Sequence, residues 1–349
     1  MITERPRRNG GFVLVGVIWF LAIMTLLATA AVLWVERSIE ATESRRQSML
    51  MEIEERSLLA RVQWLVATQS YTVAGLLVPG DHGRPAPQMD ASILPVGGEI
   101  PLDGRALCMT NGWCVALIDQ AARLSLSAAE PRLLRNLLVG LGVRANQVPV
   151  MLAQWADYLH PGDAPQLGAA GGTGEWSDWR QARRRPVRSV MEVFSLRSWQ
   201  RWEEHLLREG WTDLVTTEES LLNINTADAR LLSLVWGIPR LAVERLVDAR
   251  QRQPISQPSD LHLLLGSSAS RIPDDGWARL ASASLSIRLF PAGAERVAEY
   301  EVSFSSEHRL LPPWQIQLKR SVKRNEQNSI EVAGEVPGIL SAPIVAGAR

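Results

Sequence analysis

The residues able to do enzyme chemistry are scattered through this 349-residue sequence. Its histidines show neither an H-E-x-x-H motif nor the paired Cys/His spacing that binds a metal ion; they are His82, His160, His205, His262 and His308. No serine lies in a G-x-S-x-G motif, which would place a nucleophile on a sharp turn. The glycine-rich segment GTGEWS (172–177) has no strand pattern before it. The sequence therefore predicts a protein that is not an enzyme.

The only cysteines, Cys108 and Cys114, flank the segment MTNGW. An Asn-Gly pair between short apolar runs predicts a two-residue hairpin turn. In that register Met109 faces Cys114 and Cys108 faces Val115, so the two sulfur atoms would lie on opposite faces of the ribbon. A disulfide would require a longer loop, and an exported chain would permit the oxidation. Both the reduced and the bridged state stay open.

An apolar segment near the N-terminus, RRNGGFVLVGVIWFLAIMTLLATAAVLWVE (7–36), has the length of a membrane span. Phe12 to Val35 is a run of 24 uncharged residues, and about 20 apolar residues cross a bilayer core as a helix. A secretory signal has a shorter apolar region and a small-residue cleavage site after it, whereas LWVER follows here. Three arginines before the segment predict a cytoplasmic N-terminus; they are Arg5, Arg7 and Arg8. We expect a retained single-pass anchor rather than a buried core helix.

Composition is that of one anchor with a globular part. The 37 basic and 37 acidic residues balance, so the net charge gives no general attraction to nucleic acid or acidic membrane surfaces. Hydrophobic residues make up 46% of the chain, which is ample for a sizeable core.

The pattern of apolar residues and helix breakers predicts an α+β fold. No glycine or proline occurs between Gly16 and Gly75, so we expect one helix from about Phe12 to about Ser70, apolar at first and amphipathic after Glu36. Alternating segments predict strands in two groups: RALCMT and WCVALID, then SASLSIRLF, AEYEVSFSS and WQIQLKRSV. Helical patterns fill residues 121–280 between the groups, which predicts a helical domain inserted into a sheet.

Two segments carry a resemblance to a known family. RRNGGFVLVGVIWFLAIMTLLA (7–28) resembles the class III signal of type IV pilin-like proteins, which a prepilin peptidase cuts after a glycine. LLNINTADARLLSLVWGIPRLAVERLVDARQRQPISQPSDL (221–261), with VALIDQAARLSLSAAEPRLLRNLLVGLG (115–142), resembles the general secretion pathway protein K family. Its members are the large minor pseudopilins of type II secretion. The resemblance extends from Gly11 to about Val322.

The resemblance implies a set of processing and assembly residues. Cleavage is expected between Gly11 and Phe12, with methylation of the new amine. In most pilin-like proteins the fifth residue of the mature chain is a glutamate. This chain has Gly16 at that position, and the K-type members lack the glutamate too. A carboxylate inside a membrane is tolerable only when it is paired, and in a filament it is thought to meet a neighbour's N-terminal amine. A subunit with Gly16 suits the end of a filament. Without the family, Gly16 is simply a small residue in a transmembrane helix.

Residues 221–261 also resemble the helix-hairpin-helix units of membrane-anchored competence DNA receptors. In those units a Gly-hydrophobic-Gly hairpin brings backbone N–H groups to a phosphate, whereas Gly237-Ile238-Pro239 ends in a residue without an N–H. This segment contains five arginines and four acidic residues, whereas phosphate binding favours a clear excess of basic residues. We therefore expect a packing module rather than a nucleic-acid site.

The loop WADYLHPGDAPQLGAAGGTGEWSDW (155–179) lies where K-type relatives carry an acid-rich loop that binds calcium. Calcium takes 6–8 oxygen ligands, several of them carboxylates; this loop offers Asp157, Asp163, Glu175 and Asp178. GAAG at Gly168 replaces a more acidic run, so a polar surface loop is the alternative to a calcium site.

The next segment, RQARRRPVR (180–188), has five arginines and no acidic residue. It is a solvated loop or a docking site for an acidic partner.

The predicted organisation follows from these features. Residues 1–11 form a cleaved cytoplasmic leader, 12–35 a transmembrane helix and 36–70 its amphipathic continuation. Residues 71–120 and 281–349 form a pilin-like β domain, and 121–280 the inserted helical domain. The resemblance implies a minor pseudopilin at the tip of the type II secretion pseudopilus, in the bacterial inner membrane with its C-terminal domain in the periplasm. Its partners would be prepilin peptidase, other minor pseudopilins and the inner-membrane secretion assembly.

Overall fold

The computed structural model describes residues 11–78, 94–159, 187–305, 312–323, 331–332 and 340. The chain divides into two compact units, Met1–Ser57 and Leu58–Arg349. Helix α1 spans Gly11–Thr68, which confirms the single long helix predicted from the absence of glycine and proline after Gly16.

The last turns of α1 belong to the core of the second unit. Leu58, Val62 and Leu65 recur at helical spacing and are buried. They pack in one cluster with inward-facing sheet residues such as Leu117 and Ile287. This burial explains why the amphipathic pattern of α1 continues to the end of the helix.

A six-stranded sheet forms the second layer, in the order β10-β3-β4-β7-β8-β9. Its strands are β3 (Asp103–Cys108), β4 (Trp113–Asp119), β7 (Ser284–Pro291), β8 (Arg296–Phe304), β9 (Trp314–Lys323) and β10 (Glu331–Val332). Neighbouring strands are antiparallel, as expected, except that β10 runs parallel to β3. A two-stranded ribbon of β1 (Tyr71–Thr72) and β2 (Gly75–Leu76) follows α1.

The β3–β4 hairpin corrects the register expected for the two cysteines. Cys108 pairs directly with Cys114, and the two form a disulfide. The predicted two-residue turn is wrong. The amide of Met109 donates a hydrogen bond to the carbonyl of Trp113, so the loop between them has three residues. Gly112 closes that loop with a φ of +83°, a conformation that glycine adopts without a steric penalty. The longer loop puts both sulfur atoms on one face of the hairpin.

Between β4 and β7 lies the helical insert. Its helices are α2 (Pro131–Gly140), α3 (Val148–Leu159), α4 (Arg197–Gln200), α5 (Glu203–Arg208), α6 (Trp211–Leu214), α7 (Ala229–Trp236), α8 (Arg240–Arg252) and α9 (Pro258–Leu265). Shorter 3-10 helices cover Gln120–Ala122, Glu192–Ser195 and Gly266–Arg271. A short parallel pair joins β5 (Leu124–Ser125) to β6 (Val215–Thr216).

The insert has a hydrophobic core separate from that of the sheet. Trp155, Trp199 and Trp211 are buried in one cluster with leucines from α2 and α7. The rings of Trp199 and Trp211 meet edge to face, with centroids 5.7 Å apart, a favoured geometry for aromatic pairs. Two cores in one chain match the expected α+β layout with an inserted helical region.

Candidate functional site

The N-terminal helix begins at the position where cleavage is expected. Gly11 is the first residue of α1 and Phe12 the second. A Cβ atom added to Gly16 would meet no atom within 4 Å. Packing within the chain therefore leaves room for a longer side chain at position 16. By length and composition, α1 is apolar enough to cross a membrane.

The part of α1 after the apolar run carries a stripe of exposed apolar side chains. Ile39, Leu50 and Ile53 are each more than half exposed and lie within one face at helical spacing. Charged neighbours pair with each other on the helix surface, as Arg56 does with Glu52 at 2.6 Å between Nη2 and Oε1. The amphipathic pattern thus leaves this stripe available to another helix.

The buried carboxylate of Asp119 ties the helical insert to the sheet. Its Oδ1 accepts hydrogen bonds from the amide of Ala121 (3.0 Å) and from the amide and hydroxyl of Ser282 (2.9 and 2.8 Å). Its Oδ2 accepts from Asn223 Nδ2 at 2.8 Å and from Thr226 Oγ1 at 3.1 Å. Burial raises the pKa of Asp119, and these hydrogen bonds oppose the rise. One side chain therefore holds the start of the insert, its end and the segment before α7.

A cluster of charges forms the second link between sheet and insert. Glu299 on β8 is fully buried, and its carboxylate contacts Arg123 (3.3 Å), Arg288 (2.7 Å) and Arg320 (2.6 Å). Arg288 also reaches Asp213 of α6 at 3.2 Å. Burial by itself raises the pKa of Glu299. The positive charges of the three arginines lower it by more, so that the pKa is about 2. The buried carboxylate is thus ionised over the whole physiological pH range.

The segment that resembles DNA-binding units forms two consecutive helices, α7 and α8. Asp228 caps α7 by accepting a hydrogen bond from the amide of Arg230 at 2.7 Å. Gly237 ends α7 with a φ of +64°, and Pro239 precedes α8. The sequence-based expectation of two helices joined at Gly237-Ile238-Pro239 is confirmed.

The surroundings of this hairpin do not resemble a phosphate site. The carbonyl oxygen of Gly237 accepts a hydrogen bond from Arg271 Nη1. Arg240, the first residue of α8, pairs with Glu244 at 2.7 Å between Nε and Oε1, which offsets its charge. The next residue, Leu241, is 74% exposed, so an apolar side chain occupies the surface beside the hairpin. These contacts leave the hairpin without the excess positive charge that phosphate binding requires.

The structure describes one of the four expected calcium ligands, so the calcium site stays a prediction. Asp157 lies half-buried on α3. The other three candidates lie outside the described residues; they are Asp163, Glu175 and Asp178. In the part of the chain that the structure describes, no group of three or more His, Cys, Asp or Glu residues is placed to hold a metal ion. The basic segment also lies outside that part, apart from Val187 and Arg188.

Sequence reasoning missed the two buried carboxylates. Asp119 ends an otherwise apolar strand segment, and Glu299 alternates with apolar residues as a solvent-facing residue would. The signal available was Asp119 itself, because a charged residue directly after a buried run often caps the following turn. Glu299 carried no comparable signal.

Comparisons with known proteins find likenesses among solved structures. No protein-family model matches the chain, and no curated protein matches it. Among solved structures, the chain is similar to the crystal structure of the GspK-GspI-GspJ complex from the enterotoxigenic Escherichia coli type 2 secretion system. The match has 12% sequence identity and a TM-score of 0.46, and it covers 82% of this chain and 100% of that chain.

Proposed function

We propose that this chain is a minor pseudopilin that caps the tip of a type II secretion pseudopilus and serves protein export across the outer membrane. Gly16 is the observation that carries the proposal. It lies in the apolar part of α1, where a longer side chain would fit, yet it provides no carboxylate. A buried carboxylate in a membrane needs a partner charge, and each repeating subunit of a pilin-like filament supplies one to its neighbour. A subunit without it joins only at an end.

The helical insert supports a terminal position. The described part of residues 121–280 forms a helical insert with its own hydrophobic core, and two buried links, at Asp119 and Glu299, fix it to the sheet. A head enlarged in this way would clash with identical heads packed laterally around a thin filament. A single copy at the tip avoids that clash.

The expected setting follows from α1 and its flanking charges. The arginines before Gly11 favour a cytoplasmic N-terminus, which places the sheet and insert in the periplasm and the anchor in the inner membrane. The exposed stripe of α1 that includes Ile39, Leu50 and Ile53 would pack against other minor pseudopilins within the secretion assembly. The role is structural and involves no catalysis.

Processing is tested by sequencing the N-terminus of the mature protein isolated from membranes. We expect Phe12 as the first residue, methylated on its amine, and we expect Gly11→Leu to leave the leader attached because prepilin peptidase requires a small residue there. Finding Met1 or Ile2 at the N-terminus of mature, functional protein would exclude this maturation.

The tip position is tested by counting copies in isolated filaments with a fluorescent tag on this chain. We expect one copy at one end, and loss of protein secretion when the chain is deleted. Gly16→Glu should let the chain enter the shaft, whereas Gly16→Gln, of the same size but uncharged, should not. Wild-type copies along the whole shaft would contradict the capping role, and intact secretion after deletion would contradict the export role.

The alternative function is a membrane-anchored DNA receptor, and the helix-hairpin-helix geometry at Gly237 is what favours it. The pairing of Arg240 with Glu244 and the exposure of Leu241 argue against it. We expect no appreciable binding of duplex DNA at physiological salt. A salt-sensitive affinity in the micromolar range that Arg240→Ala abolishes, and that Arg245→Ala on the same helix leaves unchanged, would favour the receptor instead.

A further inference from the structure

A small cleft opens where the helical insert meets the start of the sheet. It has a volume of about 50 Å³. One wall comes from β3 and the residues before it, including Pro101, Asp103 and Arg105. The other wall comes from the insert and includes Thr226 and Arg250. The cleft thus combines a sheet edge with the C-terminal turns of α8.

Arg250 is a buried cation without a counter-charge in contact. Its side chain is 7% exposed, and Nη1 donates a hydrogen bond to the carbonyl of Ile224 at 2.6 Å. Its Nε has no hydrogen-bond partner in the described part of the chain, where no carboxylate lies within 4.0 Å of the guanidinium either. Burial lowers the pKa of Arg250 to about 10, so the group stays charged at neutral pH. An isolated buried charge is unfavourable unless an opposite charge meets it.

Other polar side chains that line the cleft, Asp103, Arg105 and Thr226, already have partners within the protein. Arg105 holds Asp103 through Nε, at 3.0 and 2.9 Å from the two carboxylate oxygens. The hydroxyl of Thr226 donates to Asp119. Asp103 and Asp228 favour the charged form of Arg250 from a distance, and Arg105 opposes it. Within the described residues no carboxylate contacts Arg250, so its positive charge is balanced only from a distance, by Asp103 and Asp228.

We propose that this cleft binds a single carboxylate group, with Arg250 as its main contact and Arg105 adding to the positive potential. A guanidinium N–H donates a charge-assisted hydrogen bond to a carboxylate oxygen, here from the part of Arg250 that lines the cleft rather than from its buried Nε. The volume corresponds to roughly three water molecules, which suits the three heavy atoms of a carboxylate and is small for a tetrahedral phosphate. The group belongs either to a free small acid or to the acidic side chain or chain end of a polypeptide. The site would exist whether or not the chain assembles into a filament.

The test uses the full chain in a nonionic detergent, titrated with sodium acetate and, at equal ionic strength, with sodium chloride or phosphate. We expect a saturable rise of the thermal unfolding midpoint with acetate only. The second arm compares capped Gly-Asp-Gly with capped Gly-Asn-Gly. Tighter binding of the aspartate peptide than of acetate identifies a polypeptide source, and equal binding identifies a free acid. No saturable effect of acetate or of the aspartate peptide would overturn the proposal.

Charge variants keep the test independent of folding. Arg250→Lys should weaken acetate binding at least tenfold because an ammonium group lacks the planar N–H donors of a guanidinium. The lysine also loses the hydrogen bond to the carbonyl of Ile224. Arg105→Gln removes only a partly exposed charge and should weaken binding several-fold, while Asp103→Asn should strengthen it several-fold. Arg245→Gln, an exposed arginine of α8, is the matched control and should change nothing. Equal responses of the Arg105, Asp103 and Arg245 variants would overturn the proposal.

Discussion

Replacing Glu299 with glutamine should cost the chain about 3 kcal/mol of unfolding free energy at pH 7. The magnitude follows from the pKa of Glu299, which falls from 4.5 to about 2. That difference is roughly 2.5 units at 1.36 kcal/mol each. The group is fully buried, so solvent does not screen this interaction as it would at the surface. Among the described carboxylates, glutamine also leaves the buried Arg123 with the more distant Glu301, at 3.8 Å.

The sign of the pH dependence is fixed by the direction of the pKa change. The folded pKa of Glu299 lies below the unfolded one, so its stabilisation is present above pH 4.5 and is lost as the pH falls toward 2. The difference between wild type and Glu299→Gln should therefore shrink by about 2 kcal/mol from pH 7 to pH 3.

The assay is urea unfolding of the full chain in a nonionic detergent, followed by tryptophan fluorescence. The matched control is Glu204→Gln, which removes an exposed carboxylate paired with Arg208 at 2.7 Å and should change stability by no more than about 0.5 kcal/mol. A loss below about 1 kcal/mol for Glu299→Gln at pH 7, or a difference that stays constant down to pH 3, would refute the electrostatic account.

Three further changes probe the links that hold the second unit together. Asp119→Ala should cost about 4 kcal/mol because five hydrogen-bond donors lose their acceptor; a urea midpoint close to that of wild type would contradict this. Gly75→Ala should cost about 3 kcal/mol, since an added Cβ would lie 2.1 Å from the carbonyl oxygen of Ile100 and the φ is +149°; thermal unfolding measures the loss. Replacing Cys108 and Cys114 with serine should cost about 2 kcal/mol by freeing a short loop. Reductant should destabilise the wild type by the same amount and leave the serine variant unchanged.

Most of the local structure could be predicted from the sequence because it depends on neighbouring residues. The extent of α1 follows from the absence of helix breakers after Gly16, and the five strand segments of the sheet follow from alternation and turn residues. The helical pair α7 and α8 was expected from the resemblance of residues 221–261 to paired-helix units. The failure at the cysteines had a local cause too, because the Asn-Gly pair permits more than one loop length.

The expected processing and assembly residues rest on the chain's N-terminal pattern alone and stay predictions. Gly11, Phe12 and Gly16 are recognised by their order along α1, and no tertiary contact is needed to identify them. The burial of the acidic residue Glu299, by contrast, could not be predicted from the sequence. Periodicity assigns Glu299 to the polar face of β8, and only the arrival of three arginines from other segments makes that face a buried one.

The sequence by itself therefore determined the long apolar N-terminal helix, the order of helices and strands, and the insertion of one region into another. Only the tertiary structure decided which charges are buried and what they contact. Asp119 meets Ser282 across 163 residues, and Arg123 meets Glu299 across 176. The physical reason is that desolvation and pairing depend on distance in space, whereas a sequence pattern reports only distance along the chain. The burial of Arg250 at its cleft is of the same kind, because it too depends on contacts between distant segments.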